Sequence, residues 1–301
     1  MPSLPAIRRL PAMFALSLAS ALAFTFSPAT AAPALARPDS AADLAAAATP
    51  VVAPAAVPPD LTATIRLNNC SAALVRYPTS QSTDRAMMLT NGHCFEGGFL
   101  APGQVIINRS SNRRGTLLTS NGSSALRVTA DRVLYATMTG TDVTLYRLTR
   151  SFGSIQSATG ISALTISASH PVAGDTFVPS GFFARVFNCD IERFVPTLRE
   201  DRWTWHDSIG YAKGCDTIHG TSGSPIVSVA TGEVVGINNT GNDDGEACTL
   251  NNPCEVNPDG TVTAVKGLNY GQETFWFNTC LTPGRTIDLN KPGCLLTRPG
   301  R

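Results

Sequence analysis

Short β-prone runs recur along the chain with turn residues between them. They include Ala72–Val75, Gln104–Ile107, Leu126–Thr129, Val133–Ala136, Val143–Leu148 and Thr176–Val178, then Ala184–Phe187, Ser224–Ser228 and Glu233–Ile237. Asn91-Gly92, Asn121-Gly122 and Asp259-Gly260 are turn dipeptides, because both residue types tolerate positive φ. No long stretch spaces its apolar residues at the helical period. Many short strands punctuated by turns predict an all-β sandwich or barrel.

The first sixty or so residues break that pattern. Arg8 and Arg9 precede an apolar run from Met13 to Phe26, and Ala29-Thr30-Ala31 has the small residues of a cleavage site. Residues 1–31 therefore predict a secretory signal peptide, and so an extracellular protein. The run falls short of the ~20 residues a membrane span needs. Residues 32–60 are mostly Ala, Pro and Val, and prolines at 33, 38, 50, 54, 58 and 59 forbid a continuous helix. They predict a linker or pro-segment, which leaves about 61–301 to fold.

Composition narrows the field. With 23 Lys+Arg against 22 Asp+Glu, the chain has no electrostatic footprint for nucleic acid. All eight Cys lie in the folding part, and an even count behind a leader predicts disulfides. No Cys pair has zinc-knuckle spacing and no His sits at ligand spacing from a Cys, so no metal and no cofactor are expected.

Two segments carry candidate chemistry. Leu89-Thr90-Asn91-Gly92-His93-Cys94 ends a β-prone run on a histidine. Gly220-Thr221-Ser222-Gly223-Ser224-Pro225 sets a serine between glycines, ahead of the apolar Ile226-Val227. Acyl transfer at neutral pH needs a hydroxyl activated by a base, a carboxylate to hold that base, and N–H donors for the oxyanion. Ser222 and His93 supply the first two, and the N–H groups of Gly220 and Ser222 can supply the last. Asp142 heads the run Val143–Leu148 and is the candidate carboxylate. Asp131, beside Arg132, reads as a solvated charge, and Asp175, after Gly174, as a turn residue. Of the other histidines, His170 precedes a proline in a loop, His206 sits on a strand, and His219 lies three residues before Ser222.

Taken in order, His93-Cys94, Asp142-Val143-Thr144-Leu145 and Gly220–Pro225 resemble the three catalytic motifs of the chymotrypsin–trypsin family. The last is in the Ser-Gly-Ser-Pro form of many bacterial members. The resemblance spans about residues 61–245. It implies two antiparallel six-stranded barrels, 61–160 and 161–280, with the site in the cleft between them and a tail at 281–301. It also implies a monomeric serine endopeptidase acting on proteins or peptides. Thr221 stands where many animal members carry Asp, so activation by insertion of a new N-terminus is not expected.

The resemblance further implies a substrate-binding set of Asp216, Thr217, His219, Asn239, Thr240 and Gly241. Asp216, six residues before Ser222, occupies the offset at which trypsin-like members select Arg or Lys. The alternative is a structural Asp216 in a glutamyl endopeptidase, although such enzymes carry His where Asn238 stands. Cys70–Cys94 follows from the family's clamp on the histidine loop, worth roughly 3–4 kcal/mol in the chain-entropy model. Cys189–Cys215 anchors the approach to the serine loop. Cys248–Cys254 and Cys280–Cys294 are the pairs nearest in sequence. A protease-like binding protein without catalysis, or an adhesive β-protein, remains the rival class.

Overall fold

The computed structural model describes residues 56–300. The expected leader and all but the last residues of the Ala/Pro-rich segment lie outside the described residues. The first sheet contains β1 (Thr64–Arg66), β2 (Ser71–Arg76), β3 (Arg85–Thr90), β4 (Val105–Ser110), β5 (Arg114–Leu118), β6 (Ser124–Thr137), β7 (Val143–Ser151) and β8 (Leu164–Thr165). Hydrogen bonding runs β1-β5-β6-β7-β3-β2, and pairing of β1 with β2 closes these six strands into a barrel. Closure leaves these strands without a free edge. β4 joins the outside of β6, and the short β8 adds parallel to β2.

β6 is one bulged strand of 14 residues where the pattern predicts two runs. The polar Asp131 that separates those runs is held across the sheet by Arg147 rather than by Arg132. Its two oxygens accept from Arg147 Nε and Nη2 at 2.9 and 3.1 Å. At this exposure the pair contributes at most about 1 kcal/mol. After β7, the helix α1 (Phe152–Thr159) is capped by Ser151 and ends at Gly160 in the left-handed region.

The second sheet holds β9 (Thr176–Ser180), β10 (Arg185–Asn188), β11 (Ile191–Glu200), β12 (Trp203–Tyr211), β13 (Pro225–Ser228), β14 (Val234–Gly241), β15 (Cys254–Val256), β16 (Val262–Thr263) and β17 (Asn269–Glu273). Its order is β10-β9-β13-β14-β17-β12-β11-β15-β16. The sheet curls until Gly174 and Ile191 exchange backbone hydrogen bonds, which brings the β9 end against β11. The segment 242–268 adds the β15–β16 hairpin to seven other strands, so this half is larger than the simple barrel expected. The helix α2 (Trp276–Thr279) follows β17.

Besides a smaller cluster of Val178, Ile209, Tyr211 and Ile226 within the second sheet, one core spans both halves. It runs from Ile65, Leu89, Tyr135, Leu145 and Tyr146 of the first barrel to Trp203, Trp205, Val234 and Ile237 of the second sheet. Each such side chain contributes on the order of 2 kcal/mol by burial. The indoles of Trp203 and Trp205 donate to the carbonyls of Leu100 and Met138, which satisfies their only polar atoms inside the core. The C-terminal tail adds Leu289 and Leu296 to the same core. There Thr297 donates through Oγ1 to Thr139 O at 2.6 Å and accepts from Tyr135 Oη at 2.9 Å.

Candidate active site

The turn after β3 and the residue just before β7 bring His93 and Asp142 together. β3 and β7 are paired neighbours, with Thr90 opposite Thr144, so the two strand ends lie side by side. Asp142 is fully buried, and its Oδ1 accepts the backbone N–H of His93 at 2.9 Å. Its Oδ2 lies 2.7 Å from His93 Nδ1. Asn91 Nδ2 donates to the Asp142 carbonyl at 2.9 Å and holds the backbone of the pair. Gly92 makes this approach possible. A Cβ there would lie 2.0 Å from Thr137 O and 2.7 Å from Asp142 Oδ1.

Three contributions act on the His93 proton. Burial works against the charged ring, while Asp142, by charge and hydrogen bond, and then Glu200, by charge, favour it. The net result holds His93 above the usual imidazole range.

Ser222 sits on the tight loop that leads into β13. Ser71 of the first barrel holds that loop, donating through its N–H to Ser222 O at 2.8 Å and through Oγ to Gly220 O at 3.1 Å. The disulfide Cys70–Cys94 joins the residue before Ser71 to the residue after His93. Serine loop and histidine loop are thus tied to one corner of the first barrel. Gly220 has φ +97°, and a Cβ at that position would press on Phe182 at 2.9 Å. The N–H groups of Gly220 and Ser222 find no acceptor among the described residues.

His93, Asp142, Gly220, Thr221 and Ser222 line one cleft. Ser222 Oγ donates to Asn239 O at 3.1 Å, and no hydrogen bond joins it to His93 among the described residues. The expected serine–histidine hydrogen bond is therefore not made in this rotamer. The hydroxyl turns about a single bond, and the Asn239 carbonyl competes with the imidazole as its acceptor.

Of the substrate-binding candidates, Thr217, His219, Asn239, Thr240 and Gly241 line the cleft. His219 pairs with Asp243 at 2.7 Å, Nε2 to Oδ2, on the exposed rim. Asp216 is a correction. It is exposed and lies outside the cleft, and its carboxylate has no hydrogen bond among the described residues. The chain turns at Gly214 with φ +100° and is pinned at Cys215 by the disulfide to Cys189, which leaves the next side chain in solvent. A solvated carboxylate has none of the desolvation that would make it select a cation.

The carboxylate that does line the cleft is Glu200, at the end of β11, with 6 % of its surface exposed. It accepts from Thr240 Oγ1 at 2.6 Å and from the Asn251 N–H at 2.9 Å. Burial raises its pKa above the usual carboxylate range, against those two hydrogen bonds. Trp203 and the exposed Phe99 stack edge-on beside it, and Phe99 reaches on to His93. Glu200 stands in Arg199-Glu200-Asp201-Arg202, which reads as a solvated charged turn, so no sequence signal marks it.

Among curated proteins, none matches the chain. Solved structures similar to it include the MamO protease domain of Magnetospirillum magneticum, at 15 % identity over 71 % of this chain and 92 % of that one, with TM-score 0.42. The protease Anisep of Arthrobacter nicotinovorans is 16 % identical over 72 % and 92 % of the two chains, with TM-score 0.41. A Nocardiopsis protease is 15 % identical over 71 % and 93 %, with TM-score 0.39. A family profile described as the trypsin-like peptidase domain matches residues 70–237, more than half of the sequence and all three candidate motifs, and the chain belongs to that family.

Proposed function

We propose that the protein is a secreted serine endopeptidase in which Ser222 is the nucleophile, His93 the general base and Asp142 the residue that orients it. One observation carries this reading. An Asp-held histidine, a serine hydroxyl and two N–H groups without protein acceptors share one cleft. Secretion is supported by the leader-like N-terminus and by four disulfides. No helix among the described residues is long and apolar enough to cross a membrane.

In the proposed reaction Ser222 Oγ turns from Asn239 O and attacks the scissile carbonyl carbon as His93 Nε2 takes its proton. The Asp142 carboxylate stabilises the imidazolium that results. Negative charge builds on the carbonyl oxygen, where the N–H groups of Gly220 and Ser222 receive it. The intermediate collapses as His93 returns the proton to the leaving amine. Water then repeats the cycle on the acyl-enzyme.

Only the neutral imidazole accepts the Ser222 proton, and its folded pKa is raised. The acidic limb of kcat/KM is therefore expected above the ~6.5 of a free imidazole. Glu200→Gln removes one of the charges that raise it, so the limb should move to lower pH. A pH–rate profile of both proteins checks this, and an unmoved limb would show that Glu200 does not act on His93.

For specificity, we infer that the cleft favours a cationic side chain. Glu200 and Asp243 line it, and no Lys or Arg among the described residues does. That charge balance also disfavours the glutamyl-endopeptidase alternative. A peptide-library profile should be enriched in Lys or Arg, and Glu200→Gln should reduce the enrichment by up to about tenfold, the size of a weak charge-assisted hydrogen bond. A profile dominated by Glu or by large apolar residues rules the inference out.

The Ser222–Asn239 hydrogen bond favours one second reading, a protease-like binding protein without turnover. Labelling of Ser222 by a fluorophosphonate separates the two, because the probe reacts only with an activated hydroxyl.

A further inference from the structure

His170, Asp207 and Glu273 meet on the second sheet, and none of them lines the cleft. Asp207 belongs to β12 and Glu273 ends β17. Ile209 pairs with Gly271, and two residues beyond that pair on each strand Asp207 and Glu273 come together. Like charges directly opposite on neighbouring strands repel. The Glu273 side chain is fully buried beside the Trp276 indole N–H and Asp207, and neither of its oxygens makes a well-formed hydrogen bond among the described residues.

His170 supplies the third donor. Its Nδ1 lies 2.7 Å from the Pro171 carbonyl, an acceptor only, so Nδ1 carries a proton. Nε2 lies 3.2 Å from Asp207 Oδ2 and 3.0 Å from Glu273 Oε1, where it offers a lone pair to a metal whenever it carries no proton. Phe194 and Phe275 flank the imidazole edge-on and fix its plane. Three electron-rich atoms converge on one point, and only a cation or a shared proton reconciles them.

We propose that His170, Asp207 and Glu273 bind a divalent transition-metal cation of the zinc type. Tetrahedral zinc with bonds of about 2.0–2.1 Å sets its ligand atoms about 3.3 Å apart, close to the separations here. One imidazole and two carboxylates suit zinc, whereas calcium takes six to eight oxygens. The Nδ1–H to carbonyl contact is the outer hydrogen bond that commonly orients a metal-bound histidine. His170 and Asp207 are part-exposed, which leaves a path for the ion and room for water as the fourth ligand. A bound ion would clip the loop before β9 to β12 and β17.

The test uses the full purified chain, stripped with chelator and titrated with ZnCl2, CaCl2 or MgCl2. Calorimetry should show one zinc per chain with micromolar or tighter affinity. Tm should rise by about 5–10 °C at a zinc concentration one hundred times Kd. His170→Ala, at an exposed position, and Glu273→Gln, which keeps shape and removes charge, should each weaken zinc by at least tenfold. Both should leave labelling of Ser222 intact. Co2+ should give visible d–d bands in the wild type and lose them in His170→Ala. Three results would overturn the proposal: no zinc binding below millimolar, as a shared proton would give; wild-type zinc affinity in both variants; or calcium bound more tightly than zinc.

Discussion

Ser222→Ala is expected to lower peptide hydrolysis by about four to six orders of magnitude while the fold stays intact. The substitution removes one oxygen, whose only hydrogen bond among the described residues is the 3.1 Å contact to Asn239 O. Loss of that bond costs about 1 kcal/mol or less. Ser71 holds the loop through backbone and Gly220 contacts that the substitution does not touch. The N–H groups of Gly220 and Ser222 also remain, so some oxyanion stabilisation persists and the residual rate stays above that in water. Steady-state kinetics beside a thermal melt provide the measurement. A melt unchanged within about 4 °C with turnover near normal would mean that another residue is the nucleophile.

The second large effect is expected at Asp142. Asp142→Asn keeps the shape and can keep Oδ1 as acceptor for the His93 N–H. It then sets an amide NH2 against His93 Nδ1, where a carboxylate oxygen now lies at 2.7 Å. Two donors cannot face each other, so the ring takes the tautomer with its proton on Nε2. That nitrogen then cannot take the Ser222 proton, and the imidazolium loses its counter-charge. The expected loss is about 10⁴ in kcat with little change in KM, or about 5 kcal/mol of transition-state stabilisation. A loss under tenfold would show that Asp142 only positions backbone. Asn91, which grips the Asp142 carbonyl, predicts that the pair keeps its place in this variant.

The candidate site divides sharply into what local sequence specifies and what it does not. His93-Cys94, Asp142 and Gly220–Pro225 are strings whose job depends on the next one or two residues: a turn, a strand start, a tight loop. Such strings are readable wherever they stand. Asp216 misled because an offset counted along the chain carries no direction, and the turn at Gly214 aims that side chain away from the cleft. Glu200 was invisible for the opposite reason. A Glu in a charged turn belongs in water, and only Thr240 and Asn251, far along the chain, bury it. His170, Asp207 and Glu273 meet only once β12 and β17 are paired.

The same division holds for the fold. The all-β class followed from short runs and turn dipeptides, and runs such as Ala72–Val75 and Val143–Leu148 fall inside β2 and β7. The β11–β12 hairpin does not stand out in the sequence, because charged and aromatic residues blur its alternation.

The C-terminal strap bears on how the molecule comes apart. Residues 280–297 leave the end of the second half, are stapled by Cys280–Cys294, and finish against Thr139 and Tyr135 of the first barrel. His93 and Asp142 belong to that barrel and Ser222 to the other half. The strap therefore spans the same boundary as the chemistry. Neither half can melt without stripping Leu289 and Leu296 from a core that the other half also uses. The two halves are therefore expected to unfold in one transition, with equal calorimetric and van't Hoff enthalpies, and to keep His93 and Ser222 facing one cleft until then.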